Sequence, residues 1–135
     1  MKKLLILVIA GLMVSAITGC QSGGAGTPTP SLEYEIEPAP IEELRISFAE
    51  SQPVQVMLYI KGGLPDSATT FDGLKVGELR DDTITVTVTT KRPIGVVAAE
   101  VYSYFEKNVN LGSNFKSGQT YEVNVNDASI DFKMP

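Results

Sequence analysis

The chain predicts an all-β domain, an antiparallel β-sandwich, over residues 41–135, with a small β-barrel as the alternative closure. Three observations lead there. Apolar side chains recur at every second position in one segment after another, the period of a half-buried strand. Gly, Pro, Asn and Asp clusters interrupt those segments about every 8–12 residues. No stretch longer than a turn carries the spacing of an amphipathic helix.

What precedes the domain is set by export. Lys2 and Lys3 form a positive start, and Leu4 to Ala16 is apolar apart from Gly11 and Ser15. That run is too short to cross about 30 Å of hydrocarbon, which takes about 20 apolar residues. Ile17-Thr18-Gly19-Cys20 closes it and resembles the lipobox of bacterial lipoprotein precursors: an aliphatic, two small residues, then cysteine. The resemblance implies a signal peptide at 1–19, cleavage between Gly19 and Cys20, and a diacylglycerol on the Cys20 sulfur. An ordinary secretory signal cut nearby, with a stray cysteine, is the plainer alternative. Each acyl CH₂ buried in lipid contributes about 0.8 kcal/mol, so two or more chains hold a protein stably on a membrane. Gln21 stands where an Asp would retain a lipoprotein at an inner membrane.

From Cys20 to Pro40 the composition is that of a disordered linker. Gln21 to Gly26 is Gly-rich, Thr27-Pro28-Thr29-Pro30 follows, and Glu33, Glu35, Glu37, Glu42 and Glu43 crowd acid around Pro38 and Pro40. Gly-rich chain is flexible and self-repelling acidic chain extends, so twenty such residues reach roughly 60–70 Å. Leu32, Tyr34 and Ile36 alternate with glutamates, which leaves a late-pairing strand as the second reading.

The strands then follow in order. Leu44, Ile46 and Phe48 alternate with Glu43, Arg45 and Ser47. After Ser51-Gln52-Pro53, Val54, Val56, Leu58 and Ile60 face one way, until Gly62-Gly63-Leu64-Pro65-Asp66 ends the run. A strand over Leu74–Leu79 turns at Arg80-Asp81-Asp82 into Thr83–Thr89, with Thr on the wet face and Ile84, Val86 and Val88 inward. Lys91 to Gly95 is a break. Beyond it Val97, Ala99, Val101 and Phe105 share one strand face, with Glu100, Tyr102 and Tyr104 opposite. Tyr121, Val123 and Val125 form a strand that turns at Asn126-Asp127 toward Ile130 and Phe132. Some seven strands in roughly 95 residues make one sandwich of immunoglobulin-like size.

Charge and residue inventory exclude several functions. The chain has 11 basic and 16 acidic residues; once Lys2 and Lys3 leave with the signal, side chains give the mature chain a net charge of −7. Nucleic acid and anionic headgroups ask for Lys/Arg patches, and none is present. There is no histidine, and the single cysteine is spent on the anchor. Ser-His-Asp and Cys-His catalysis and His- or Cys-bound zinc are therefore excluded in their usual forms.

Lys61 to Thr69, Glu78 to Thr83, Thr89 to Pro93, Phe105-Glu106 and Gly118 to Asn126 resemble a pattern of uncharacterised bacterial lipoproteins with one small immunoglobulin-like β-sandwich domain. The resemblance spans roughly residues 53 to 126. It implies the fold and brings no activity. Many such proteins carry cysteines at the positions of Ala68 and Ala98, so it also implies that this chain lacks their disulfide.

Candidate sites are few. Asn124, Asn126, Asp127 and Asp131 offer oxygen ligands of the kind calcium takes, although tight turns explain Asn and Asp equally well and the spacing is no EF-hand loop. Asp81-Asp82 beside Arg80 reads as a solvated turn. Glu100 and Glu106, on one expected strand face with Tyr102 and Tyr104, are a second carboxylate pair, of the kind glycosidases use as acid and base. The outer side of a sheet accounts for them more simply. Tyr102, Tyr104 and Glu100 make a possible contact surface for an envelope or extracellular protein or glycan. The expected function is display of a non-catalytic module with no cofactor and no metal. The alternative is inhibition of extracellular peptidases: Arg92-Pro93 resembles a loop of chagasin-type inhibitors, but their Asn-Pro-Thr-Thr-Gly loop is missing.

Overall fold

Eight strands make up the described residues, 31–135, of a computed structural model: β1 (Tyr34–Pro38), β2 (Ile41–Ala49), β3 (Gln55–Leu64), β4 (Thr70–Val76), β5 (Thr83–Pro93), β6 (Ser103–Gly112), β7 (Thr120–Val125) and β8 (Ala128–Lys133). Two sheets face each other as an open sandwich. One has the order β2-β3-β6; in the other β5 is central, with β4 on one side and β1 and β7, followed by β8, on the other. The core lies between them. Val56, Leu58 and Ile60 of β3 meet Val86 and Val88 of β5 and Val123 and Val125 of β7, and all are fully buried. Each such side chain contributes about 1.5–3 kcal/mol through burial. Phe115, Tyr121 and Phe132 pack ring on ring, with centroids 5.0–5.5 Å apart. At the opposite margin Phe71 of β4 meets Phe105 of β6 at 5.2 Å.

Pairing is antiparallel with one exception. β7 runs parallel to β5, Thr83 to Val86 matching Glu122 to Val125, so the sandwich is not purely antiparallel. The Arg80-Asp81-Asp82-Thr83 hairpin is as expected. Arg80 and Thr83 exchange both backbone bonds, and Asp81 and Asp82 take φ of 47° and 64°, the left-handed pair of a type I′ turn.

Three sequence expectations are corrected. The linker does not extend to Pro40, because β1 pairs with Thr89–Pro93 of β5. Its carboxylates Glu35 and Glu37 share the inner side with Arg92 and Thr90, while Tyr34 and Ile36 point outward, the reverse of an ordinary strand. That inversion makes the segment look like spacer. The strand expected at 74–79 lies at Thr70–Val76. The strand expected from Val96 is a loop over residues 94–102, and β6 starts at Ser103 and continues to Gly112. The apolar alternation of 97–101 is real but faces solvent, with Val97 99% exposed.

β1 and β2 are one strand that changes sheets. The Ala39 N–H donates to the Val88 carbonyl in one sheet, and the Pro40 carbonyl accepts from Gly63 N–H in the other. Asn126 fills the gap this leaves beside β5. Its Oδ1 accepts from Val88 N–H at 3.0 Å, and its Nδ2 donates to the carbonyls of Val88 and Ala39, each at 2.8 Å.

Candidate contact surface

The outer face of β2-β3-β6 brings Tyr102, Tyr104 and Glu106 together with aromatic and charged side chains of β2 and β3. Register puts Arg45, Tyr59 and Asn108 in one row, and Glu43, Lys61 and Glu106 in the next. The Arg45 guanidinium lies over the Tyr59 ring at 4.3 Å, and the Tyr59 hydroxyl donates to Glu106 Oε1 at 2.7 Å. Glu106 therefore holds the Tyr59 proton and pushes the phenol up from its ordinary pKa. Lys61 Nζ sits 4.2 Å from the Tyr104 ring centroid, where the negative face of the ring attracts it.

Tyr102 and Tyr104 meet edge to face at 5.3 Å, 48% and 53% exposed. The Tyr102 hydroxyl donates to Glu42 on β2, which raises its pKa as well. Tyr102 reaches Glu42 by crossing β3 over Gly63, where a Cβ would stand 1.9 Å from the Tyr102 hydroxyl. Gly62 has the same office on the inner face: a Cβ there would stand 2.1 Å from Cζ of the buried Phe105 ring. The pair Gly62-Gly63 thus lets one ring lie on each side of β3. Read from sequence alone it looks like a strand end; only the cross-strand partners reveal its use.

Of the three expected contact residues, Tyr102 and Tyr104 come together and Glu100 does not join them. Glu100 lies exposed in the 94–102 loop. Glu106 is on the sheet with its carboxylate engaged by Tyr59, so the two carboxylates stand on separate elements and only one is held. Tyr59, Lys61 and Arg45 were missed as site residues, although their outward phase was legible from the alternation.

The remaining candidates fall elsewhere. Asn126 spends its amide on backbone, and Asp127 is exposed in the β7–β8 turn. Asn124 and Asp131 belong to paired strands, and among the described residues no three His, Cys, Asp or Glu side chains gather as a metal set. Asp81 and Asp82 are exposed turn residues. Cys20 and Gly19 lie outside the described residues.

One further cluster stands at the end of the sandwich where β1 begins. Asp66 accepts from the backbone N–H groups of Ala68 and Thr69, from the Thr69 hydroxyl and, at 2.7 Å, from Arg92 Nε. Arg92, then Thr69, hold the Asp66 carboxyl well below the usual carboxylate range. A cavity of about 120 Å³ lies beside this pair, lined in part by Glu35, Glu37 and Pro65. Arg92 also donates to the Val96 carbonyl, while Ser67 and Ala99 exchange two bonds at 3.0 Å. These contacts join the segments that hold Ala68 and Ala98.

Comparison with known proteins agrees with this architecture. Three uncharacterised 10.2 kDa proteins of Herpetosiphon aurantiacus are similar to the chain. The one from the HgiCIIM 5′ region is 34% identical over 94 residues, 70% of this chain and 98% of its own length. Those from the HgiBIM and HgiEIM 5′ regions are each 32% identical over 84 residues, 62% of this chain and their whole length. No solved structure matches. The ORF11 beta-sandwich domain model matches residues 58–134, from the middle of β3 to just past β8, and the chain belongs to that family.

Proposed function

We propose that the chain is an exported lipoprotein, tethered through Cys20 to the extracytoplasmic face of a membrane, whose β-sandwich acts by contact and not by catalysis. The observation that carries the contact reading is the row of rings and cations on one exposed sheet face: Arg45 on Tyr59 and Lys61 on Tyr104. Tyrosines partly fixed by a cation or a carboxylate lose little freedom on meeting a partner, which favours such faces as interfaces. The tether reading rests on the Ile17-Thr18-Gly19-Cys20 motif.

Each half has its own test. Cys20→Ala should move the protein from the membrane to the soluble fraction and remove the acyl mass from the mature N-terminus; retention of both would sink the tether. For the contact half, a mature Cys20→Ser chain is fixed to resin and incubated with envelope and secreted fractions of the source cell. A protein or glycan held by this chain but released by a Lys61→Glu, Tyr104→Ser variant is the expected result. Equal capture by both would remove this face from the reading.

A further inference from the structure

Eight consecutive residues, Ile94 to Val101, include four exposed aliphatics and one charge, Glu100. Ile94 is 56% exposed, Val96 39%, Val97 99% and Val101 57%. Single exposed aliphatics are ordinary, but a run of them on a surface serves an interaction. The run is held in place from below. Arg92, itself fixed by Asp66, binds the Val96 carbonyl; Ser67 binds both backbone groups of Ala99; and Val101 N–H donates to the Ala99 carbonyl at 2.8 Å. These bonds fix backbone groups of Val96, Ala99 and Val101, while the side chains of Ile94, Val96, Val97 and Val101 stay exposed.

Where this tip lies decides what meets it. Ile94 N–H donates to the Glu33 carbonyl at 2.9 Å, so the chain enters the domain at the tip itself. Leu32, 59% exposed, is the residue before Glu33. Cys20 precedes Glu33 by thirteen residues, at most about 45 Å of extended chain. We infer that the Ile94–Val101 tip is a lipid-contacting surface, seated in the interface of the same bilayer that holds the anchor. The inference rests on the tether reading.

The chemistry fits an uncharged membrane surface. Apolar tips and lipid anchors act together: the anchor supplies the high local concentration that makes a weak second contact effective. Tyr102 follows the tip directly, its ring half exposed and its hydroxyl bound to Glu42, as suits an aromatic at headgroup level. At this end Lys91 and Arg92 are already paired with Asp72 and Asp66, which leaves Glu33, Glu35 and Glu100 to oppose anionic headgroups, so phosphatidylcholine is the probe of choice.

The chain contains no tryptophan, so one introduced residue reports alone. The lipidated full-length protein carrying Val97→Trp is reconstituted into phosphatidylcholine vesicles with and without bromine on the acyl chains. A tip seated in the interface should lose more than about half its emission to brominated lipid. Glu50→Trp, in the β2–β3 turn at the far end, should lose none. A third chain with Ile94→Trp should be quenched, and Val97→Asp added to it should abolish the effect, which separates the native tip's affinity from that of the reporter. Unquenched emission at both tip positions, or equal quenching at residue 50, overturns the inference. An N-terminus without acyl mass overturns it also, but by sinking the tether reading on which it rests, whereas unquenched tip residues on an acylated chain sink the tip alone.

Discussion

Asn126 does with one side chain what a missing pair of strand residues would otherwise do. It gives Val88 both a donor and an acceptor at the point where β5 exchanges β7 for β1. Asn126→Ala should lower stability by about 1–3 kcal/mol in a urea titration, because backbone groups lose their partners. The two glycines of β3 should behave differently from each other. Gly62→Ala drives a methyl into the buried Phe105 ring and should cost about 1–3 kcal/mol. Gly63→Ala meets only the free ends of Tyr102 and Glu42; it should leave the urea midpoint nearly unchanged while separating the two, seen as a fall of the tyrosine's raised pKa toward 10.0 in ultraviolet titration. Asp66 should set part of the acid limb. Its folded pKa lies below the ordinary 3.8, so its contribution is complete above that value and is lost as pH falls through the folded value. Asp66→Asn should therefore flatten the loss of stability below about pH 4. At this scale the sequence reveals residue types and hides partners. Asn126 is legible as a turn residue, φ 53° included, but its bond to Val88 spans 38 positions.

Strands that bury an apolar face announce themselves, and strands that do not are missed. β3, β5 and β7 alternate cleanly because both sheets press on their inner side chains. β1 alternates too, but its apolar side faces out and its glutamates share a side with Arg92, so its composition reads as linker. Residues 97–101 fail in the opposite sense: alternation is present, no partner strand is, and β6 begins only where Ser103 meets Leu64. Periodicity measures pattern, while strand formation also needs a neighbour with free backbone groups. A chain cut to begin at Ile41 should consequently fold less stably than one beginning at Ser31. It loses the β1 ladder and the Ala39 bond to Val88, and should unfold at a clearly lower urea concentration. Recovery of the full midpoint by the shorter chain would mean that β1 is decoration.

For the molecule as a whole, the class of fold is legible and its wiring is not. Two-residue periodicity with regular turns points to a sandwich, but nothing local marks the parallel match of β7 to β5 or the change of sheets at Ala39-Pro40. Of the proposed contact face only Tyr102 and Tyr104 are legible in sequence, because the cations beside them come from β2 and β3 through register. The proposed lipid-contacting tip depends likewise on a long-range bond, from Ile94 N–H to the Glu33 carbonyl. The change of sheets has a mechanical consequence. β1 starts at the tip end and runs away from it, so tension applied at residue 31 acts along the strand and loads its ladder to β5 in shear, with all its bonds strained together. Peeling, in which bonds yield one after another, would require a pull from the side. Past Pro38 the same strand continues into the opposite sheet, so further extension has to drag on both sheets at once. A sandwich loaded in this way keeps its shape while its N-terminal end is pulled.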